Sequence, residues 1–383
     1  MLLGDVRFRE DLSSVVDTLL LNSDDMKFLS FINFLPKITD IFGKPVTSQK
    51  TEWLDDAARP ESISVQASGD GLDWDTIDDI TALPTAEAEG KKLRVGDMLL
   101  LDQDEVVIVK AIASNYLSID LYARGHGDSE AAVLAHDSAH TCEIIGNAQI
   151  ENGDPISADF TIPTAKYNIS QIFEDVAEVS GTVRRSKAVQ GDYLDYTTVK
   201  KLKEALKSLN RAMWEGIKNL DATNKIGTMG GVREFGSTTS NVGGALTLAK
   251  LYTAVIAHVD AGLFPSAIHA CPTVIGKIEQ LFVGNVRYKN SETKANMTVA
   301  TVSIMGYEVQ LHADRHGRSG EFLIVDYNRV AYGPLEGGEY GGGNFAVYPI
   351  LNKLNGKQIA NQVLGEFTMR CSNGGSTRAY GIT

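Results

Sequence analysis

One apolar stripe constrains this chain more than any other feature. Val199, Leu202, Leu206, Leu209, Met213, Ile217 and Leu220 follow one another at intervals of 3, 4, 3, 4, 4 and 3 residues, which puts all seven on one face of an α-helix. Asp192 or Asp195 is placed to cap its N-terminus. A helix over residues 193–220 would form a rod of roughly 40 Å at ~1.5 Å per residue. Its cations, Lys200, Lys201, Lys203, Lys207, Arg211 and Lys218, lie mostly off the stripe.

The N-terminal region carries a second apolar feature. Leu12, Val15, Val16, Leu19 and Leu20 fit a short amphipathic helix over residues 11–21, broken by Asn22, Ser23, Asp24 and Asp25. Residues 26–42 then concentrate Phe28, Leu29, Phe31, Ile32, Phe34, Leu35, Ile38, Ile41 and Phe42, interrupted by Pro36. A patch of this size is rarely left in water, so either the chain's own core or a neighbouring subunit covers it. The expectation adopted is that Phe28, Phe31, Ile32 and Leu35 bury against a neighbouring subunit.

Composition excludes several classes. With 43% hydrophobic and 22% charged residues among 383, the chain has enough apolar material to fold. No apolar run reaches the ~18 residues of a membrane helix. Residues 1–21 interleave apolar side chains with Asp5, Arg7, Arg9, Glu10 and Asp11, unlike a secretory signal. Cys142, Cys271 and Cys371 are odd in number and widely spaced, which fits a reducing compartment without a disulfide framework.

The net charge of −13 argues against a dedicated nucleic-acid binder, which would show a basic stripe. The charge is uneven. Residues 52–105 hold 15 acidic and 4 basic side chains, net −11, whereas residues 184–225 hold 10 basic and 5 acidic, net +5. Two readings fit: both segments are solvated faces, or they meet within or between chains. The sharper expectation pairs Asp73 and Asp75 with Lys203 and Lys207 of a neighbour.

Residues 47–56 begin as a strand, and residues 57–90 follow as a polar, acidic excursion; long excursions of this kind usually have a function. Residues 93–97, 105–113, 116–122 and 142–145 read as short strands of a small β-barrel inserted into the excursion. Residues 154–189 read as further strands. Beyond the long helix come a helix at 246–261, a strand at 268–271, a helix at 272–282, and strands at 302–312 and 321–326. The glycine run 337–343 reads as a crossing, and residues 345–382 as mostly strand.

The search for chemistry finds no assembled site. His136 and His140 stand at i, i+4, as do His312 and His316. A zincin needs Glu beside the first histidine, and a helix, and on a strand that spacing is ~13 Å. Both pairs read as turns at strand ends. Phosphate-loop, dinucleotide and nucleophile-elbow motifs are absent. Asp70, Asp73, Asp75, Asp78 and Asp79 lack the Gly and closing Glu of a calcium loop, and the cysteines lack zinc spacing. No catalytic residue, cofactor site or metal site is assigned, which favours a structural protein.

The order of parts resembles a known fold. An apolar arm, an extended loop, one long helix, an α+β domain and returning strands resemble the Hong Kong 97-type major capsid fold of tailed phages, also used by encapsulins. "DDMKFLSFINFLPK" with "TSQKTEWLDD", and "NISQIFEDVAEVSGTVRRSKAVQ" leading into "TTVKKLKEALKSLNRAMWEGI", resemble a family of podophage-like major head proteins. The resemblance implies an α+β fold with an N-terminal arm (1–50), an extended loop (51–150) carrying a β-rich insertion (about 91–148), peripheral-domain strands and spine helix (151–240), an axial domain (241–343) and C-terminal strands returning to the peripheral domain (344–383). It implies a shell subunit that partners itself in hexamers and pentamers and encloses double-stranded DNA. Portal, scaffolding and decoration proteins are further candidate partners, the membrane is not a partner, and the site of assembly is the host cytoplasm. An encapsulin-like compartment shell is the alternative, and a carbohydrate- or metal-binding module a more distant one.

Overall fold

The computed structural model describes residues 26, 28–56, 61–64, 83–84, 90–101, 105–112, 114, 116, 118–126, 141–148, 163–181, 193–221, 223, 225–236, 238–282, 287–288, 300–336, 345–350 and 358–383. The expected helix at 11–21 and glycine crossing at 337–343 lie outside them. The chain forms two units. The first comprises residues 1–55 and 164–383, and the second is the insertion between them, residues 56–163.

The first unit is built on the long helix, Tyr193–Glu215. Leu202, Leu206, Leu209 and Met213 of the stripe are all buried. They pack on Phe173, Val363, Phe367 and Met369 of a sheet in which Gln358–Cys371 is the central strand. Gln171–Ser180 pairs along one edge of that strand, and Ala346–Pro349 and Val330–Pro334 along the other, all antiparallel.

The helix is shorter than the stripe suggests. It stops at Gly216, whose N–H donates to Ala212 O (2.9 Å) and whose carbonyl accepts from Gly231 N–H (2.8 Å). A Cβ at Gly216 would collide with the carbonyl oxygens of Met229 and Ala212. The chain then enters a hairpin, Asn219–Asp221 with Ile226–Thr228. Ile217 and Leu220 therefore leave the buried stripe and stand exposed, Ile217 at 72%. Their helical spacing does not survive because the close backbone approach at Gly216 redirects the chain.

The second core of this unit lies on a seven-stranded sheet. Its strand order is Thr238–Gly244, Ser376–Ile382, Glu321–Val325, Ala267–Ala270, Tyr307–Ala313, Ala300–Ile304 and Arg287–Tyr288. The helices Leu248–Asp260 and Pro272–Leu281 contribute Leu251, Val255, Val274 and Ile278 to that core. The Thr247 hydroxyl caps the first of them by accepting from Lys250 N–H (3.4 Å), and Pro272 opens the second where its missing N–H costs nothing. Met305 and Gly306, with φ of 52° and 87°, make the two-residue turn between paired Ile304 and Tyr307.

Strand Glu321–Val325 is buried along its whole length. Period-two alternation sends Leu323 and Val325 into the first core and Phe322 and Ile324 into the second. The two cores thus share this strand as a wall. An ion network reinforces the junction. Buried Glu321 accepts from Arg378 (Nε 2.8 Å, NH2 2.7 Å), and Glu215, closing the long helix, accepts from Arg233 (2.8 Å) and Arg318 (2.6 Å).

Two segment assignments change. Val330–Pro334, placed by sequence within the axial segment, belongs to the sheet beneath the long helix. The last strand, Ser376–Ile382, does not stay with the peripheral sheet but pairs with Glu321–Val325 and Thr238–Gly244. The reversal occurs at Asn373, Gly374 and Gly375, all at positive φ (50°, 75° and 21°), a run of backbone that ordinary residues resist.

In the second unit, Ser62–Ser64, Thr141–Asn147, Asp97–Leu100, Glu105–Ile112, Ser118–His126 and Leu83–Pro84 form one antiparallel sheet in that order. Register shifts between Met98 and Leu99, Glu105 and Val107, and Val109 and Ala111 mark bulges, which bend and twist strands. Ile63, Leu99, Val107, Val109, Ile119 and Cys142 form its core.

Candidate assembly surfaces

The arm folds as two short helices, Ser30–Phe34 and Ile38–Phe42, separated where Pro36 removes a donor. Met26, Leu29 and Phe31 are fully buried, and Ile32 and Leu35 nearly so, all in the first core of their own chain. The Phe31 ring lies 4.7 Å from Trp214 on the long helix and 4.7 Å from His269 on the second sheet. The expectation that Phe31, Ile32 and Leu35 await a neighbour is corrected on this point, since their apolar surface is already spent within the chain. Phe28, 42% exposed, is the member of the set left available.

Polar groups fix the arm as firmly as its apolar ones. Asp314, fully buried, accepts from Ser30 N–H (2.7 Å) and the Ser30 hydroxyl (2.6 Å). The same carboxylate accepts from Asn210 Nδ2 on the long helix (3.0 and 3.2 Å) and from His316 N–H in its own turn (2.7 Å). Arm, long helix and second sheet therefore meet on one carboxylate. Around it, His269 Nδ1 lies 2.8 Å from the Ser30 hydroxyl and His269 Nε2 lies 3.0 Å from the Tyr327 hydroxyl. His312 stacks on Phe34 at 3.7 Å and stands 5.0 Å from His269. Burial pushes the His269 imidazole well below its usual range and His312 down to about 3. The same burial pushes the Tyr327 phenol well up.

His312 was the first member of a spaced histidine pair, and strand followed by turn is what the structure shows there. His136 and His140 lie outside the described residues. Among the described residues, no group of three or more His, Cys, Asp or Glu side chains is placed to hold a metal ion.

The excursion leaves and rejoins the first unit through a two-stranded ribbon, Lys50–Asp55 with Thr164–Ile169. Asn168 anchors it. Its buried amide donates to Gly230 O (3.0 Å) and Met369 O (2.8 Å) and accepts from Gly230 N–H (2.8 Å). Asp55 holds the other end through Asn373 N–H (2.8 Å) and Lys166 (3.1 Å). Trp53 turns inward against Phe235 at 5.5 Å. Asn168→Ala removes the side-chain partner of four backbone groups, Gly230 O, Met369 O, Gly230 N–H and Ile169 N–H, at roughly 0.5–1.5 kcal/mol each. It is expected to lower unfolding stability by about 3 kcal/mol, measured as a shift of the urea midpoint at unchanged slope.

Of the charged set, Asp73 and Asp75 lie outside the described residues. Lys203 and Lys207 are half-buried on the long helix, and each already interacts with other groups. Lys207 faces His316 electrostatically. Lys201 bonds Glu204 (2.7 Å) and Asp175 (3.2 Å); its ammonium pKa is raised, chiefly by Glu204 and then by Asp175. Lys200 and Arg211 are the cations of this helix that stand exposed. Sequence reasoning missed Asn168, Asn210, Asp314 and the His269–His312 pair, because each is functionally silent in its own local sequence and gains a role only from partners far along the chain.

Comparison with known proteins gives one family match: the model described as SU10 major capsid protein aligns with residues 7–378. No curated protein sequence matches the chain. The solved structure of Mycobacterium phage Bobi aligns over 98% of this chain and 99% of its own at 13% identity, with a TM-score of 0.44. That of Mycobacterium phage Adephagia aligns over 98% of each chain at 11% identity and TM-score 0.43. The cyanophage A-1(L) capsid asymmetric unit aligns over 62% of this chain and 85% of its own at 12% identity and TM-score 0.44.

Proposed function

The chain belongs to the SU10 major capsid protein family, and from that premise we propose that this virion shell subunit builds a closed head from pentamers and hexamers of itself around double-stranded DNA. The family match across nearly the whole chain carries the reading. The acidic balance supports it, because a net charge of −13 lets a shell enclose DNA without gripping its phosphates. Phe28, exposed beside buried Leu29, Ser30 and Phe31, is proposed as the arm's contribution to a neighbour. The acidic residues 52–105, with Asp73 and Asp75, are proposed to lie across a neighbour's basic helix face near Lys203 and Lys207, where the opposite net charges of −11 and +5 attract.

Electron microscopy of the purified chain tests the proposal. Closed shells are expected, and in phage lysates they should protect DNA from nuclease. Assembly should weaken from 0.1 M to 1 M salt as the screening length falls from ~10 to ~3 Å. A stable ~41 kDa species at high concentration, or shells filled with protein cargo and devoid of DNA, would overturn it.

A further inference from the structure

The arm sits over two histidines that face each other. Ser30 through Pro36 carries no charged side chain. Beneath it, the His269 and His312 rings stand 5.0 Å apart, with Phe31 on one (4.7 Å), Phe34 stacked on the other (3.7 Å), and Tyr327 6.0 and 6.4 Å from the two. His269 spends both nitrogens, on the hydroxyls of Ser30 and Tyr327. His312 Nε2 lies 3.2 Å from Gln310 Oε1.

The charged groups facing this cluster offer little to a proton. The carboxylate present, Asp314, already accepts from Ser30, Asn210 and His316. From the long helix and the 314–316 turn, Arg211, Lys207 and Arg315 face His316 and add positive charge. A proton on either buried imidazole would place a cation out of water without a free carboxylate to pair it, and protons on both would set two like charges 5.0 Å apart, which repel strongly in a dry site.

We propose that the arm is an acid-released latch: it closes on neutral His269 and His312 and opens when they are protonated, baring Phe31, Ile32 and Leu35 while the two cores stay folded. This goes beyond the shell-subunit reading and does not depend on it. The apolar set that the chain buries within itself would then become available to another molecule in acid.

The direction follows from linkage. Both imidazoles are depressed in the closed state by burial, His312 to about 3. Once uncovered they return towards ~6.5. Closure is therefore fully favoured above ~6.5 and is lost as pH falls from there towards about 3. Each histidine weakens closure by up to about tenfold per pH unit below ~6.

Hydrogen exchange of the purified full chain, expressed as protection factors so that intrinsic rates cancel, tests the latch. Between pH 6 and pH 5, protection of the arm amides from Phe31 to Leu35 should fall by roughly 50- to 100-fold. Strand Glu321–Val325 should lose far less over the same range. His269→Gln or His312→Phe should cut the arm's loss to roughly tenfold, and the double variant should make it nearly flat. His258→Gln removes a depressed histidine bonded to Thr377 in the other core, and should leave the arm's slope unchanged. An arm whose protection is flat with pH would overturn the proposal. So would an arm that loses protection in step with Glu321–Val325, which signals global acid unfolding. If no histidine variant folds, the wild-type slopes of arm and strand decide between these outcomes by themselves.

Discussion

Phe31→Ala is expected to lower the stability of the subunit by about 3–5 kcal/mol, the range for truncating a fully buried phenylalanine. The ring is fully buried between Trp214 and His269, at 4.7 Å from each. The void would lie where the first core meets the second sheet, and neither the long helix nor the strand Ala267–Ala270 can collapse into it without losing its own packing. Phe31→Asp should cost more than Phe31→Ala, because it adds an unpaired carboxylate to the same site. Phe28→Ala, three residues away and 42% exposed, should change stability by less than about 1 kcal/mol. Urea titration of the three variants distinguishes this from an arm held in reserve for assembly. In that case Phe31→Asp would keep the full stability of the subunit and fail only to form shells.

Asp314→Ala is expected to cost a similar amount, about 3–5 kcal/mol, by a different route. The substitution removes the acceptor of Ser30 N–H, the Ser30 hydroxyl, Asn210 Nδ2 and His316 N–H at one buried point. Stranded buried donors each cost their desolvation, and breaking a buried charged cluster from one side falls in this range. Asp314→Asn keeps one acceptor oxygen and should recover part of the loss. A thermal or chemical unfolding series of Asp314→Ala, Asp314→Asn and Ser30→Ala reads the order directly. If Asp314→Ala costs no more than Ser30→Ala, the carboxylate is not the joint between arm, helix and sheet. The latch and the clasp also separate cleanly. Loss of Asp314 weakens the arm at every pH, whereas loss of His269 or His312 changes how its protection depends on pH.

Several elements were legible from local pattern. Leu202, Leu206, Leu209 and Met213 announced the buried face of the long helix. The helices expected at 246–261 and 272–282 form over Leu248–Asp260 and Pro272–Leu281. Strand Glu105–Ile112 appeared in a Val- and Ile-rich run. These signals are local because side-chain period and turn chemistry act over a few residues. Ile217 and Leu220 misled for the same reason: their spacing continued the helical period, but contacts of Gly216 with Met229 and Gly231 ended the helix.

Local pattern alone establishes that residues 26–42 must be covered, that a long helix follows residue 193, and that residues 51–150 hold an acidic extended excursion with a β-rich insertion. The sequence determined the family through a pattern spread over nearly the whole chain. What covers the arm emerges from long-range packing. Ser30 meets Asp314 across 284 positions and His269 across 239, and Tyr332 donates to Ile32 O across 300. An apolar side chain specifies that it will leave water, at about 25 cal/mol per Å² whatever surface receives it. It does not specify which surface, and that choice rests with shape and with buried polar groups whose partners lie far along the chain.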